Sequence, residues 1–246
     1  MYDSLISKAQ ELRRQTFLAF VEQGEAHLGG SFSIIEMLLA LYEIILLEED
    51  KFILSKAHAS FPLCLLLRDK GFDPKLSTHL ERDSANGIHC TTGSLGHGFP
   101  ISTGMSLARK LKGVPGKVFC LCSDGEWQEG SNWEALIFSR HNDLSNLVLL
   151  VDVNGLQGYG RTGEVASMAK LNRYFKAFDM NVVELDGHSP GSLGELLTPH
   201  NDDRMVYLLN TIKGKGVSFM ENKNLWHYRS PQGEEFEAAL RELNNA

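Results

Sequence analysis

At 246 residues, with 43% hydrophobic and 22% charged residues, the chain is long enough to bury a core of its own and has an ordinary globular balance. The formal net charge of −7 leaves no basic footprint and argues against nucleic acid as a partner; no apolar run reaches the length that would span a bilayer, which argues against a membrane. The start, Met1 to Lys8, has no basic region leading into a long apolar one, and the four cysteines (Cys64, Cys90, Cys120, Cys122) show no zinc-site spacing, so a cytoplasmic protein with reduced, mostly buried thiols is expected.

In chain order, Leu5, Ala9, Leu12, Phe17 and Phe20 predict an amphipathic helix over 3–23, ended by Gly24. Ser33 and Glu36 fit a capping box opening a second helix through Leu47, apolar nearly all round and therefore central or at a subunit contact. Residues 51–55 read as a short strand and 59–70 as a helix stopped by Gly71. The polar, aperiodic stretch 72–98 reads as a long functional loop. A helix over 100–111 follows Gly93-Ser94-Leu95-Gly96-His97-Gly98, with Pro100 at its start.

Two short apolar runs, 117–122 and 146–152, stop at Asp124-Gly125 and Asn154-Gly155, as strands buried on both faces do. Cys120 and Cys122 then share one sheet face, which is poor disulfide geometry. A helix over 126–141, carrying Trp127, Trp133, Leu136, Ile137 and Phe138, makes this a strand-helix-strand crossover. After a Gly-rich loop over 155–165, Ser167 caps a helix to Phe178, 181–185 is a strand, Pro190 starts a helix, 204–211 is the last strand and 234–243 the last helix. The alternation predicts an α/β fold: a single domain over 1–246, with a mostly parallel sheet and helices on both faces.

Asp124 and Asn154 would lie at the carboxyl ends of two strands, where open α/β sheets bind ligands. Either pair alone marks only a turn. Together, thirty residues apart at two strand ends, a carboxylate and an amide oxygen suit Mg²⁺ or Ca²⁺ escorting a phosphate group. Five histidines (His27, His58, His79, His97, His227) sit at loop or strand ends beside small residues; each alone is an ordinary loop histidine, but several converging could donate to phosphate or relay protons.

Asp124-Gly125 followed by Asn154 resembles the diphosphate-binding motif of thiamine diphosphate enzymes, and Glu126-Trp-Gln-Glu-Gly130 with Asn154-Gly-Leu-Gln157 is similar to transketolases, in particular the amino-terminal half of a transketolase split into two polypeptides. The resemblance implies thiamine diphosphate as cofactor, with the metal held by Asp124, Asn154 and the Leu156 carbonyl, and with Gly125 and Glu126 in the cofactor-binding segment. Ala26-His27-Leu-Gly-Gly-Ser31, Leu54-Ser-Lys-Ala-His58, His79 fourteen residues before Gly93, and His227 after the 213–221 segment resemble the family's histidine motifs, with Ala57 for the usual Gly and Leu80 for the usual Pro. It assigns His27, His58, His79 and His227 to the diphosphate, to the ketose hydroxyls and to proton transfer, and gives nothing to His89 or His97. It brings Gly93, Ser94 and Leu95 to the aminopyrimidine ring, and Glu129 across a dimer to its equivalent. Ser123 stands where the family usually has Gly, tolerable where no positive φ is needed.

The resemblance implies transfer of a two-carbon ketol unit from a ketose (phosphate) donor to an aldose acceptor. The glutamate that activates the aminopyrimidine belongs to a pyrimidine-binding domain that this sequence does not show. A carboxy-terminal partner subunit is therefore expected to supply it, in an α2β2 assembly. The alternatives are another thiamine diphosphate enzyme of specialised sugar or natural-product metabolism, one using a 2-oxo acid, or a scaffold on an inherited fold. A nucleotide- or NAD-binding domain is disfavoured because no Gly-x-Gly-x-x-Gly or Walker lysine motif is present.

Overall fold

The computed structural model describes residues 2–24, 27–167, 170–189, 193 and 205–245. Its frame is a five-stranded, wholly parallel sheet in the order β1-β2-β3-β7-β6, made of Lys51–Leu54 (β1), Val118–Ser123 (β2), Leu147–Val153 (β3), Met205–Asn210 (β7) and Asn181–Asp186 (β6). A small antiparallel hairpin, Leu156–Gln157 (β4) with Gly160–Arg161 (β5), follows β3.

Alternation along the central strands divides the core in two. Phe52, Leu54, Phe119, Leu121, Val148, Leu150, Tyr207 and Leu209 face one side. There they pack with helices α1 (Tyr2–Gln23), α2 (Leu28–Phe32), α3 (Ile35–Ala40), α4 (Phe61–Asp69) and α9 (Glu234–Asn245). Ile53, Val118, Cys120, Cys122, Leu149, Val151, Val206 and Leu208 face the other, against α5 (Gly98–Lys112), α6 (Gly130–His141) and α8 (Leu171–Ala177). Each fully buried large side chain contributes about 1.5–3 kcal/mol; Phe20 and Phe61, both fully buried, stack at 4.0 Å and bind α1 to α4. The expected parallel α/β sandwich is the one observed. All four cysteines are free and buried, with the Cys120 and Cys122 sulfurs 3.8 Å apart on one face.

Several local expectations fail, each for a nonlocal reason. The capping box is not formed. Ser33 donates instead to Gly30 O and to Asp152, Glu36 pairs with Arg13 and His188, and the helix begins after Ile34 with no side-chain cap. Buried long-range partners here outcompete a local bond. The segment is also shorter than expected, passing into a single π-turn over Leu41–Ile45, although Ile35–Ala40 is wholly buried as an apolar, central helix should be. The 126–141 helix starts only at Gly130, because Gly125–Gln128 forms a 3₁₀ turn that carries Trp127 into the core. Helix α8 starts at Leu171 with Lys170 at its N-cap and no side-chain cap, so Ser167 does not cap it. The loop over 155–165 contains the hairpin and a short helix, Thr162–Val165 (α7). The helix expected at Pro190 and the strand start at Arg204 lie outside the described residues.

One glycine decides where α5 sits. A Cβ on Gly98 would lie 2.3 Å from Ser55 Oγ, so only glycine lets the first turn of α5 rest on the end of β1. Ser123 does not have the left-handed φ that would have demanded glycine.

Candidate active site

Four adjacent strands deliver the site at their carboxyl ends. Just past β2, Asp124 is 3% exposed. Its Oδ1 accepts from the Gly125 N–H at 2.8 Å, and its Oδ2 accepts from the Gly155 N–H at 2.9 Å and Thr162 Oγ1 at 3.0 Å. Burial, then the neighbouring Asp152 charge, push its carboxyl up to about 6. One residue past β3, Asn154 donates through Nδ2 to Asp152 Oδ2 at 3.0 Å and accepts the Leu156 N–H on Oδ1 at 3.0 Å. Those two bonds fix the orientation of the amide.

Asp152, fully buried on β3, is the hub beneath. Its carboxylate accepts from Lys56 Nζ at 2.5 Å, Ser33 Oγ at 2.6 Å, Asn154 and Thr211 Oγ1. Burial pushes its carboxyl up, but the Lys56 charge and these donors outweigh it and hold it below the usual carboxylate range. Lys56, past β1, also donates to Gly30 O at 3.0 Å.

His27, His58 and His227 converge above this hub. The His27 ring centroid is 5.4 Å from His58 and 5.0 Å from His227, and His58 lies 6.0 Å from His227. His27 holds a left-handed backbone (φ 74°), uncommon for a side chain of this size, and its N–H donates to His227 O at 2.9 Å. Past β7, buried Lys213 donates to His227 Nδ1 at 2.5 Å and to Leu156 O at 3.2 Å. The first bond requires a lone pair on Nδ1 and places the ring proton of neutral His227 on Nε2. Burial lowers all three bases: Lys213 to about 8, with Lys56 adding repulsion; His227 to about 3, with Lys213 adding to it; and His58 well below its usual value, with Lys56 adding to it. Asp152 balances the Lys56 ammonium, and His58 and His227 are kept neutral, which leaves the Lys213 ammonium, bonded only to a carbonyl and an imidazole, as the charge that can meet an anion.

Gly93 rests on His79, where a Cβ would come within 2.4 Å of the ring, so His79 and the Gly93-Ser94-Leu95 loop form one unit. Glu126 is fully buried and its carboxylate is committed to protein donors. Oε1 takes Ser55 Oγ and the Gly96 N–H at 2.9 Å, Oε2 the Ser123 N–H at 3.3 Å, and burial raises its carboxyl. Glu129 is exposed at the N-cap of α6, against Gly96. His97 is exposed; His89 is half-buried, with burial and then Lys51 lowering it to about 4.

Sequence reasoning missed Lys56, Lys213, Asp152 and Thr162. Lysine is normally a surface residue, and the available signal was its position, immediately past an apolar run in Ser55-Lys56 and Ile212-Lys213.

The Asp124 carboxylate, Asn154 Oδ1 and the Leu156 carbonyl make an oxygen-only set linked by hydrogen bonds: the Gly155 N–H to Asp124, the Leu156 N–H to Asn154 Oδ1, and Lys213 to Leu156 O. The set fits a hard divalent cation. Among the described residues no group of three or more His, Cys, Asp or Glu side chains is arranged to hold a metal ion.

A parallel sheet whose strand tips mass buried cations and oxygen donors defines an α/β domain of the anion-binding class. The family follows from comparison. The thiamine diphosphate-binding domain of transketolase matches residues 42–243, and the chain belongs to that family. It is 33% identical to one of the subunits of an apulose-4-phosphate transketolase from Actinobacillus succinogenes, over 99% of this chain and 97% of that protein. It is 34% identical to a 6-deoxy-6-sulfo-D-fructose transketolase subunit from a Clostridium species, over 96% and 94%. Its fold matches the crystal structure of transketolase from Campylobacter jejuni with a TM-score of 0.85 at 22% identity, covering 99% of this chain and 43% of that one. The chain therefore spans less than half the length of the solved transketolases it matches, but nearly the whole of the relatives named as subunits. Among the described residues, no helix is long and apolar enough to cross a membrane.

Proposed function

We propose that residues 1–246 form a single diphosphate-binding domain, acting as the amino-terminal subunit of a cytoplasmic transketolase. It would transfer a two-carbon ketol unit from a ketose or ketose phosphate to an aldose, with thiamine diphosphate and Mg²⁺ or Ca²⁺. The observation that carries the reading is the convergence of His27, His58, His227 and Lys213 on the strand ends that bear Asp124 and Asn154. Thiamine diphosphate, when bound, supplies a carbon nucleophile and a sink for the electrons released by carbon-carbon cleavage.

This chain's residues do the rest. Asp124, Asn154 and Leu156 O would hold the metal, and the buried cationic cluster would take the diphosphate. Lys213 keeps the His227 proton on Nε2, the nitrogen left free to donate to substrate oxygen. Gly93, Ser94 and Leu95 would border the aminopyrimidine, with His79 beside them. A carboxy-terminal subunit would supply the activating glutamate, in an α2β2 complex, a reading supported by the relatives named as transketolase subunits. The names of those relatives also favour a specialised ketose over a central one. The test is ketol transfer by this chain with and without its partner, alongside Asp124→Asn. Turnover only in the complex, with metal-dependent cofactor binding abolished in the variant, is expected; full turnover by the isolated chain would refute the partner requirement.

A further inference from the structure

On the open side of the histidine cluster stands one large aromatic that the proposed chemistry does not use. Tyr228 follows His227 at the end of a 3₁₀ turn (Asn224–His227) and is 59% exposed. Its ring lies edge-on to His27, at 5.4 Å and 77°, and to His227, at 4.4 Å and 73°. Its hydroxyl lies against the β4–β5 hairpin, where a Cβ on Gly158 would come within 2.2 Å of it. Asn224 Nδ2 donates to Gly158 O at 3.1 Å and ties the hairpin to the same turn. The ring is thereby held on three sides, by two histidines and a glycine backbone, while its remaining surface faces outward. An exposed aromatic is ordinary on a protein surface, but this one has its hydroxyl seated against a glycine, where a Cβ would push it out of place.

We infer that Tyr228 is a specificity-determining residue: with Gly158 behind it, it walls the sugar site beside His27 and His227 and limits how long a ketose chain can extend from the reacting carbon. This deepens the ketol-transfer reading and rests on it. A short ketose ends before the wall; a longer one meets the ring. The position of the ring, rather than the presence of an aromatic alone, sets the limit, so Gly158 and Tyr228 act as a pair.

The experiment uses the complex of this chain with its carboxy-terminal partner, and two donors, a four-carbon ketose and fructose 6-phosphate. Tyr228→Ala should raise kcat/KM for the longer donor relative to the shorter by about tenfold or more, with the change in KM, since fitting or excluding a single methylene in a pocket is worth roughly 10- to 200-fold. Gly158→Ala, whose methyl must displace the ring, should also shift the donor ratio, and should lose that effect in the Tyr228→Ala background, as coupled neighbours do. Tyr228→Phe should keep the wild-type ratio. Thiamine diphosphate affinity, read from tryptophan fluorescence with magnesium, should stay within about twofold in all variants. A donor ratio unchanged in Tyr228→Ala, or a Gly158→Ala effect that persists without the ring, overturns the inference while leaving ketol transfer standing. A wild-type complex that binds thiamine diphosphate but transfers a two-carbon unit from no ketose or ketose phosphate of four to seven carbons, the specialised ketoses of its relatives included, overturns that reading, and the inference with it.

Discussion

Replacing Lys56 by Met would test the buried hub directly. Lys56 and Asp152 have side chains 1% and 0% exposed and meet at 2.5 Å. The substitution keeps an unbranched apolar stem, one atom shorter, but leaves the Asp152 carboxylate with only neutral donors, Ser33, Thr211 and Asn154. Breaking a buried pair by removing one partner costs about 3–5 kcal/mol, because the other charge stays buried and uncompensated. For a chain of this size each kcal/mol lowers Tm by roughly 2–4 °C, so a fall of about 6–20 °C is expected. Because Asp152 also orients the Asn154 amide, metal-dependent cofactor affinity should fall in parallel. Calorimetry reads the first effect and a fluorescence titration the second. The double variant Lys56→Met with Asp152→Asn should recover part of the lost stability, since no unpaired charge then remains. A Tm within about 2 °C of wild type for Lys56→Met would refute the reasoning, since it would place the pair's worth in the range of a surface salt bridge.

Two further expectations concern the same region. Asp124, with burial and Asp152 raising its carboxyl to about 6, favours its protonated form in the folded, metal-free chain; that contribution is present at low pH and lost as pH rises through about 6. A divalent cation must therefore displace a proton below that pH, and metal-dependent cofactor binding should weaken about tenfold per pH unit beneath it, as calorimetric titrations at pH 7.5 and pH 5 would show; equal affinities at the two would count against it. Glu126→Ala should strand three donors, Ser55 Oγ and the Gly96 and Ser123 N–H groups, each at a cost of about 1–3 kcal/mol. A Tm drop of roughly 5 °C or more with weaker cofactor binding through the Gly96 loop is expected, and thermal melts indistinguishable from wild type would contradict it.

The comparison of sequence with structure divides along a physical line. Short apolar runs ending in Asp-Gly and Asn-Gly needed only local information, because a strand buried on both faces must be apolar throughout and must stop where the chain turns; the parallel sheet and the placement of Asp124 and Asn154 at its tips followed. The amphipathic spacing of α1 was equally local, since one face alone meets the core. Side-chain partners were not local. Ser33 and Glu36 read as a cap, but Asp152, 119 residues away from Ser33, and Arg13 with His188 claim them. Glu126 read as part of a cofactor segment, and its carboxylate is filled by Ser55, Gly96 and Ser123. Lys56 and Lys213 carry no periodic signal at all, because a lysine is buried only when distant strand ends surround it with acceptors. Sequence by itself determined which residues end the strands; tertiary structure alone decided which charges are forced to share one desolvated space, and with it the tautomer, the raised and lowered pKa values and the wall formed by Tyr228.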